Sequence, residues 1–565
     1  MKNRNKELKK NFFISIILFI ISVSFFVLEH PNFIILEGVG NIVWISYIPM
    51  LLLISQIDFS KSWLIGFLYG AISYCFYSYW LINYNVPSLI FALILSGILY
   101  SILFLGLSYI NKKYISHSWF FQWIFVCCFE FLRTKGFTGF SYGISGYSLW
   151  KQIKIIQVCD LIGIYGLTFF SIFPSFCLYG VIKKIIDRHI IKYNRDTDNN
   201  LYECKTHINY ISKYEIQLKS TSFILPLLAF LVWIVAFYYV YNYGNEKNQN
   251  QPDSSISVAL IQHNEQFTDG SLSDHRANLI NLMRLSDEAL AMNPDVKLIV
   301  WPETAVVPEI IYNFDGPNIE KQKISKNIID YIYSHKESFI IGNGYSTENN
   351  GEKKYYNSAL FFNSINKVNP PNPEIYSKNH LVPFSEYIPF ADRYKKFNSK
   401  LNHKNLNLWT PGSELKIFEL DNLKFSIPIC FEDTFPDISR KMVKLGSKCL
   451  INISNDSWSK SKVCQYQHLA MAIFRSVENR VPSIRSCSSG QTCMISQKGE
   501  IVEMAEPLCS TFITVDLPFF SDSFNKSFYT TNGDVVAYSM IFFGIALLII
   551  QIIIVIIKKL IRNHR

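Results

Sequence analysis

Long apolar runs crowd the first 241 residues, and one more lies near the C-terminus. A helix needs about 20 apolar residues to cross a bilayer, with a range of roughly 17–25. Two of the runs, 42–57 and 119–132, are short for this purpose. The pattern predicts about eight membrane-spanning helices, near 12–28, 42–57, 63–81, 86–110, 119–132, 161–182, 223–241 and 535–557.

The stretch 254–523 has a different pattern. It contains no apolar run of that length, and short apolar runs alternate with amphipathic stretches, which indicates an α/β domain of layered sheets and helices. The chain therefore divides into a bundle at 1–245, this domain at 254–523, and a last span with a basic tail at 530–565. Its predicted strands are 257–262, 297–301, 338–343, 358–362, 425–429 and 449–453, and its predicted helices are 274–292 and 319–333.

Composition agrees with a membrane protein. Hydrophobic residues make up 49% of the 565 residues and charged residues only 17%, whereas soluble domains carry about 25% charged residues. None of the 12 cysteines forms a CxxC pair, so a zinc or iron–sulfur framework is poorly supported, and no metal or organic cofactor is expected. Whether Cys449, Cys464, Cys487, Cys493 and Cys509 form disulfides is open.

The positions of lysine and arginine explain the net charge of +10. Twenty of them lie in the two termini and in the loops on the same side, against four in the alternate loops at 29–41, 83–85 and 133–157. Cytoplasmic loops of membrane proteins carry such an excess. The bias predicts that both termini are cytoplasmic and that 254–523 lies outside the cytoplasm. The basic excess then reflects topology, and no nucleic-acid partner is expected.

Three residues near predicted strand ends or in a Pro-bounded turn could carry chemistry: Glu303, Lys378 and Cys430. Taken singly, each has an ordinary interpretation, as a solvated carboxylate, a surface lysine and a core thiol. Together they form a working set, because a carboxylate can accept the proton of a thiol nucleophile and an ammonium can stabilise the resulting oxyanion. The set suits acyl transfer from an ester or amide through a thioester.

The order of motifs around these residues is specific. WPET at 301–304, KNHLVPFSEYIP at 378–389 and PICFED at 428–433 together resemble the nitrilase superfamily of carbon–nitrogen hydrolases. With membrane spans on both sides, the chain resembles the apolipoprotein N-acyltransferase family over nearly its whole length. EFLR at 130–133, DLIGIYG at 160–166, NISNDSW at 452–458 and QHL at 467–469 match further motifs of that family.

The resemblance implies an α-β-β-α sandwich for 254–523 and a role for each matched residue. Glu303 would be the general base, Lys378 the oxyanion stabiliser and Cys430 the nucleophile. Glu386 and Glu432 match further carboxylates of the family's site. The alternatives are that Glu386 caps a turn and that Glu432 only pairs with a nearby base.

Aromatic residues near the site could keep water away from a thioester. The candidates for this role, and for contact with the substrate, are Phe384, Tyr387, Phe390 and Trp458. Ordinary packing is the alternative interpretation.

The sequence departs from the family pattern in four places. Phe431 follows the nucleophile where tyrosine is common, Ser385 replaces a usual glycine, and Ser459 stands where an aromatic residue is expected. The segment HNEQFTDG at 263–270 lacks the usual tryptophan. These departures concern contacts with lipid rather than the three principal residues.

A buried charge pair is predicted in the bundle. Glu130 and Arg133 lie one helical turn apart at the end of a span. A charge within a membrane is a functional hint by default, but a local ion pair that positions the helix end is the more economical interpretation.

The resemblance implies a multi-pass enzyme of the bacterial inner membrane with its catalytic domain on the periplasmic side. Its acyl donor would be a phospholipid, and its acceptor would be the α-amino group of the N-terminal diacylglyceryl-cysteine of an apolipoprotein. Tethering the thiol beside the outer leaflet would raise the effective concentration of both. One alternative is a membrane-tethered amidase or nitrilase that passes the thioester to water, and another is a catalytically inactive lipid- or lipoprotein-binding protein.

Overall fold

The computed structural model describes residues 2–114, 117–136, 139–198, 221–246, 252–265, 271–349, 351–383, 385–387, 409–520 and 526–563. These residues form a bundle of apolar helices and a two-sheet α/β domain that rests on it. The helices that precede the domain are α1 (Lys2–Glu29), α2 (Tyr47–Gln56), α3 (Phe59–Tyr77), α4 (Val86–Lys113), α5 (Ser118–Leu132), α6 (Ile153–Ile156), α7 (Cys159–Asp198) and α8 (Thr221–Glu246).

Five helices of the described chain are long and apolar enough to cross a membrane. Their apolar parts are Phe12–Glu29, Val86–Lys113, Cys159–Arg188, Ile224–Glu246 and Val535–Ile554. The two runs that are short in sequence give shorter apolar helices: a 3-10 turn at Gly40–Trp44 precedes the ten-residue α2, and α5 has 15 residues. The structure therefore supports a membrane bundle and leaves the sequence-based count of eight spans as a prediction.

The predicted ion pair of the bundle is present. Arg133 Nη2 lies 2.9 Å from Glu130 Oε2, and both side chains are buried. The guanidinium also donates to the Tyr74 hydroxyl and to the carbonyl oxygens of Tyr142 and Gly143, at 2.9, 3.1 and 2.7 Å. Because each donation is to a group on another segment, the pair fixes the 139–143 segment to α3 and α5.

The α/β domain contains two sheets of six strands each in the part of the chain that is described. Their strands are β1 (Ser254–Gln262), β2 (Leu298–Val300), β3 (Ser338–Asn349), β4 (Glu352–Phe362), β5 (Glu374–Ser377), β6 (Phe418–Leu420), β7 (Leu423–Ser426), β8 (Cys449–Ser454), β9 (Ser483–Cys487), β10 (Cys493–Ile495), β11 (Ile501–Met504) and β12 (Thr511–Phe519). The first sheet has the order β12-β1-β2-β3-β4-β5 and the second β11-β10-β9-β8-β7-β6. In each sheet the central strands are parallel, β1-β2-β3 in the first and β7-β8-β9 in the second.

Helices cover the outer face of both sheets. They are α9 (Leu272–Met292), α10 (Ile310–Phe314), α11 (Ile319–Ser334), α12 (Pro436–Leu445) and α13 (Lys462–Asn479). The chain continues through the short α14 (Phe528–Asn532) to the apolar helix α15 (Val535–Asn563), which packs against α5 and α7 of the bundle. Strand β1 shows how the layers arise: Val258 and Leu260 enter the core between the sheets, while Ala259 and Ile261 enter the core under α9 and α11. This alternation gives the predicted α-β-β-α sandwich.

Helix α13 joins the domain to the bundle. From Val463 to Asn479 nearly all its residues are buried, because one side faces the second sheet and the other faces the membrane helices. Gln467 Nε2 donates to the carbonyl oxygens of Pro31 and Tyr77, and Trp80 Nε1 donates to Gln467 Oε1, at 2.9, 3.0 and 3.0 Å. The second sheet is thus attached to the bundle through hydrogen bonds as well as apolar packing.

The five cysteines considered for disulfides are unpaired in the described chain. Cys449, Cys464, Cys487, Cys493 and Cys509 are all free thiols. The first four are buried, in agreement with the use of cysteine as a small apolar residue.

Candidate active site

Glu303 is placed by the turn that follows β2. Strand β2 ends at Val300, and the turn runs close over β3, where a Cβ on Gly342 would come within 2.1 Å of the Pro302 carbonyl oxygen and 2.5 Å of the Glu303 Cα. Only glycine fits at that point of β3. Thr304 has a φ of 49°, so the chain turns sharply just after Glu303. The Glu303 carboxylate is buried just beyond the C-terminal end of β2.

Cys430 is placed by a similar turn in the second sheet. The chain leaves β7, pairs once more with β8 through Ile429 and Ile453, and turns at Cys430 with a φ of 49°. A left-handed conformation is costly for a residue with a Cβ, and such strain is often found at functional sites. The thiol is half-buried and heads the 3-10 turn Cys430–Thr434. Both turns therefore present a reactive side chain just beyond a strand end.

Lys378 follows β5 and binds two carboxylates. Its Nζ lies 3.0 Å from Glu303 Oε1 and 2.7 Å from Glu386 Oε1, and its side chain is 1% exposed. Asn357 Nδ2 donates to the same two oxygens, at 2.7 and 3.2 Å. The backbone N–H of Asn455 donates to the other oxygen of Glu303 at 2.9 Å. The structure brings together Glu303, Lys378 and Glu386, as their motifs predict.

The charges of this cluster act on the thiol. Burial and the Glu303 carboxylate raise the pKa of Cys430 well above its ordinary value, and the Lys378 ammonium opposes that rise. Burial alone would lower the pKa of Lys378, but Glu303 and Glu386 raise it well above its ordinary value. Lys378 is therefore a permanent cation, and Cys430 rests as a thiol that needs a base to become a nucleophile.

Glu386 holds the turn after the lysine. Its second oxygen accepts from the Val382 N–H at 2.8 Å, and its carbonyl oxygen accepts from the Trp409 N–H at 2.8 Å. The carboxylate thus closes its own turn, as the capping interpretation has it, and also binds Lys378. Both alternatives for this residue describe part of its environment.

Glu432 lies behind the site rather than in it. Its oxygens accept from the Tyr376 hydroxyl and from the backbone N–H groups of Asn379, His380 and Ile429, at 2.7–3.1 Å. Burial raises the pKa of Glu432 to about 7 against the effect of these donors. The carboxylate joins the loop that carries Lys378 to the turn that carries Cys430.

Comparison with known proteins places this chain in a family. Residues 257–519 match the model of the carbon–nitrogen hydrolases, and residues 37–177 match that of the apolipoprotein N-acyltransferase N-terminal domain. Apolipoprotein N-acyltransferase 1 of Treponema denticola is 33% identical over 98% of this chain and 98% of its own. The chain belongs to the apolipoprotein N-acyltransferase family.

The chain is also similar to a further curated relative and to a solved structure. Apolipoprotein N-acyltransferase 1 of Treponema pallidum is 32% identical, and 89% of each chain is covered. Among solved structures, Nit3 of Saccharomyces cerevisiae, a member of the nitrilase superfamily, matches 48% of this chain and 93% of its own with 18% identity and a TM-score of 0.34. The segment that matches the N-acyltransferase N-terminal domain contains the buried pair Glu130–Arg133. The segment that matches the carbon–nitrogen hydrolases contains Glu303, Lys378, Glu386 and Cys430.

The four aromatic candidates have different outcomes in this member of the N-acyltransferase family. Trp458 is half-buried against the bundle, with ring centroids 5.7 Å from Trp80 and 5.6 Å from Tyr84. Tyr387 is half-buried, in the turn just after Glu386. Phe384 and Phe390 lie outside the described residues. A role of these rings in substrate contact stays a prediction.

Ser385, which stands where the N-acyltransferase pattern usually has glycine, makes a contact that glycine could not. Its Oγ donates to the Tyr84 hydroxyl at 2.7 Å. Tyr84 belongs to the loop between α3 and α4, whereas Ser385 precedes Glu386 in the turn over Lys378. The hydrogen bond therefore ties the turn of the site directly to the membrane bundle.

We expect this bond to contribute to catalysis by holding the Glu386 turn in place. Ser385→Ala and Tyr84→Phe should each lower kcat/KM for acyl transfer about 3- to 10-fold, near the ~1 kcal/mol of a neutral hydrogen bond. The double variant should lose little more than either single variant, because both remove the same bond. Tyr79→Phe is the matched control, since the Tyr79 hydroxyl is hydrogen-bonded to Ser461, at 3.5 Å, and not to a residue of the Glu386 turn. Fully additive losses would show that the two residues act independently.

A buried charge network includes Asp433 of the Cys430–Thr434 turn. Asp433 binds His468 Nε2 at 2.6 Å and also pairs with Arg485, while His468 Nδ1 lies 3.4 Å from Asp456. Burial alone would lower the pKa of His468, but Asp433 and Asp456 raise it to about 9, and Arg485 opposes that rise. His468 is on α13, so the network connects the nucleophile turn to the helix that contacts the bundle.

This network predicts how stability depends on pH. A folded-state pKa of about 9 lies above the reference value of about 6.5, so protonated His468 stabilises the fold fully below about pH 6.5. The contribution, at most about 3 kcal/mol, is lost as pH rises through about 9. Thermal unfolding in detergent should show the melting temperature falling between pH 7 and 9.5, with a shallower fall in His468→Gln. Equal slopes in the two proteins would contradict this assignment.

The sequence did not single out Asn357 or Asn455, although both bind Glu303. Asn357 is in the antiparallel strand β4, and its side chain reaches both carboxylates. Asn455 uses its backbone, which no residue type reveals. The one signal for Asn455 was its place in the motif NISNDSW, directly after β8.

Proposed function

We propose that this protein transfers a fatty acyl chain from a membrane phospholipid, through a thioester on Cys430, to the α-amino group of an apolipoprotein's N-terminal diacylglyceryl-cysteine. The observation that carries the proposal is the cluster of Glu303, Lys378 and Glu386, whose Glu303 and Lys378 charges act on the half-buried Cys430 thiol, in a domain attached to a membrane bundle. Membership of the N-acyltransferase family supports the same reaction.

In the first half-reaction Cys430 attacks the ester carbonyl of a phospholipid. Glu303 takes the thiol proton, which the raised pKa of Cys430 makes necessary, and the Lys378 ammonium stabilises the negative charge that develops on the carbonyl oxygen. The ester C–O bond then breaks. Glu303 returns the proton to the departing alkoxide, so a lysophospholipid leaves and the acyl chain remains on sulfur.

In the second half-reaction the amine of the acceptor attacks the thioester carbon. The reference pKa of an α-amino group is about 7.7–8.0, so the free amine is available near neutral pH. The new C–N bond forms, the C–S bond breaks, and Glu303 passes the amine proton to the departing thiolate. The product is an amide, and Cys430 is restored as a thiol.

We infer that Glu386 and Glu432 assist by holding the reacting groups in place. Glu386 binds the ammonium of Lys378 and closes the turn above it. Glu432 joins the loops of Lys378 and Cys430. Trp458, which packs against Trp80 and Tyr84 of the bundle, and Tyr387, which directly follows Glu386, are proposed to limit the access of water to the thioester.

The membrane arrangement is part of the proposal. We propose eight spans in a bacterial inner membrane, with both termini in the cytoplasm and the domain at 254–523 on the periplasmic side. The distribution of lysine and arginine supports this orientation. The contacts of α13 with the 31–84 region support a thiol close to the membrane surface, where both lipid substrates are concentrated.

The test is mass spectrometry of the purified full-length protein incubated with phospholipid alone. We expect an acyl adduct on Cys430 and release of lysophospholipid. Addition of a diacylated lipopeptide should then discharge the adduct and yield a triacylated peptide. Release of free fatty acid alone would identify a hydrolase instead, and the lack of any adduct on Cys430 would overturn the thioester route.

A further inference from the structure

A further carboxylate, that of Glu265, lies beside the Glu303 cluster and takes no part in the two proposed half-reactions. Glu265 follows β1 and Glu303 follows β2. Because these two strands are parallel, both residues lie beyond the C-terminal ends of the strands, on the same side of the first sheet. The segment of Glu265 belongs to the HNEQFTDG stretch, which departs from the family pattern. Glu265 is half-buried, so a ligand in the site can reach it.

Asn455 connects the two carboxylates. Its backbone N–H donates to Glu303 Oε2 at 2.9 Å, and its side-chain Nδ2 donates to Glu265 Oε2 at 3.1 Å. A single residue therefore separates Glu265 from the general base. Within the described chain, the other oxygen of Glu265 accepts one long bond, of 3.5 Å, from Asn278 Nδ2.

The charge of Glu265 is not balanced within the described residues. Both of its partners are neutral amides, and no lysine, arginine or histidine of the described chain forms an ion pair with it. By contrast, Glu303 and Glu386 share the Lys378 ammonium. Burial raises the pKa of Glu265, and the Asn455 bond opposes that rise. A partly buried anion with amide partners alone is a place for a cation that arrives with a ligand.

The proposed acceptor brings such a cation. Its α-amino group is largely an ammonium at neutral pH, because the reference pKa is about 7.7–8.0. The charge of Glu303 is already paired with the Lys378 ammonium, and its oxygens also accept from Asn357 and Asn455. Among the described residues, Glu265 is the nearby carboxylate that binds no cation.

We propose that Glu265 binds the α-ammonium of the acceptor and delivers the amine to the thioester on Cys430. This inference rests on the proposed function and assigns a residue to its second half-reaction. The ammonium docks against Glu265 and loses one proton through that carboxylate to water. The neutral amine then forms the C–N bond as the C–S bond breaks, and its second proton passes through Glu303 to the thiolate.

The test separates the two half-reactions in Glu265→Gln. With phospholipid alone, the variant should form the Cys430 adduct and release lysophospholipid at a rate within about twofold of the wild type, which also shows that it is folded. With a diacylated lipopeptide, discharge of the adduct should be slower, and KM for the lipopeptide should rise about tenfold. An N-acetylated lipopeptide, which carries no ammonium, should inhibit both proteins equally. Unchanged discharge and KM in Glu265→Gln would overturn the assignment.

Two controls identify the source of any effect. Glu288→Gln, an exposed carboxylate of α9 that pairs with Arg284, should behave as the wild type. Thioester formation is also measured with phosphatidylethanolamine and with phosphatidylglycerol. If Glu265→Gln slows only the first donor, the ligand of Glu265 is the headgroup ammonium, and the acceptor assignment is wrong. If the wild type forms the adduct but never transfers it to the lipopeptide, the proposed function fails, whatever Glu265 does.

Discussion

Replacement of Cys430 by alanine is expected to lower acyl transfer by about 10⁴-fold or more. The thiol is the one atom of the proposed cycle to which the acyl chain is bound, and no neighbouring group can replace it. Alanine keeps the Cβ and so the same left-handed turn at a φ of 49°. The loss should therefore be chemical rather than structural. Intact-protein mass spectrometry with phospholipid should show no acyl adduct, and the lipopeptide should remain diacylated.

The matched control is Cys509→Ala. Cys509 is also a partly accessible thiol of the same domain, and its Sγ bonds the Glu506 carbonyl oxygen. This variant should keep both the adduct and the transfer. Transfer that survives in Cys430→Ala would show that the chain has a different nucleophile or that the protein binds lipoproteins without acylating them.

The second large effect is expected from Lys378→Met, which should damage both activity and stability. Loss of the ammonium removes the stabiliser of the oxyanion, at a cost of about 10³-fold in kcat. In the wild-type protein the carboxylates of Glu303 and Glu386 share the Lys378 ammonium. The substitution leaves these two negative charges side by side without a cation. Breaking a buried pair in this way costs about 3–5 kcal/mol. Acyl-transfer assays and thermal unfolding in detergent measure the two effects.

A compensated variant separates the two contributions. Lys378→Met combined with Glu386→Gln removes one of the facing charges, so it should regain part of the lost thermal stability. It should not regain activity, because the oxyanion still lacks a cation. Activity that returns together with stability would reduce Lys378 to a structural residue.

The principal residues could be predicted because their signals are local. Glu303 and Cys430 each follow a short apolar run, and both runs end where β2 and β7 end or just beyond. All six predicted strands overlap strands of the structure, since runs of apolar residues in 254–523 can bury only in sheets or between them. The motif order then gave the partner, Lys378, which no pattern of hydrophobicity could have supplied.

Other features depend on contacts between distant segments and could not be predicted. Strands β5, β6 and β9 to β12 are short, half-polar or broken by turns, and their pairing is set by neighbours. The apolar run at 42–57 looks like a short span, but Pro49 and a 3-10 turn leave only the ten residues of α2 in helix. The Ser385–Tyr84 bond joins residues 301 positions apart. Such contacts arise only when the domain rests on the bundle.

The burial of α13 on two sides has a mechanical consequence for turnover. Gln467 on this helix is bound to the membrane loops, while its neighbour His468 is bound to Asp433 in the nucleophile turn. A rocking motion between the two halves of the molecule would pull on the nucleophile itself. Bulky lipids are therefore expected to enter and leave without a hinge at this junction.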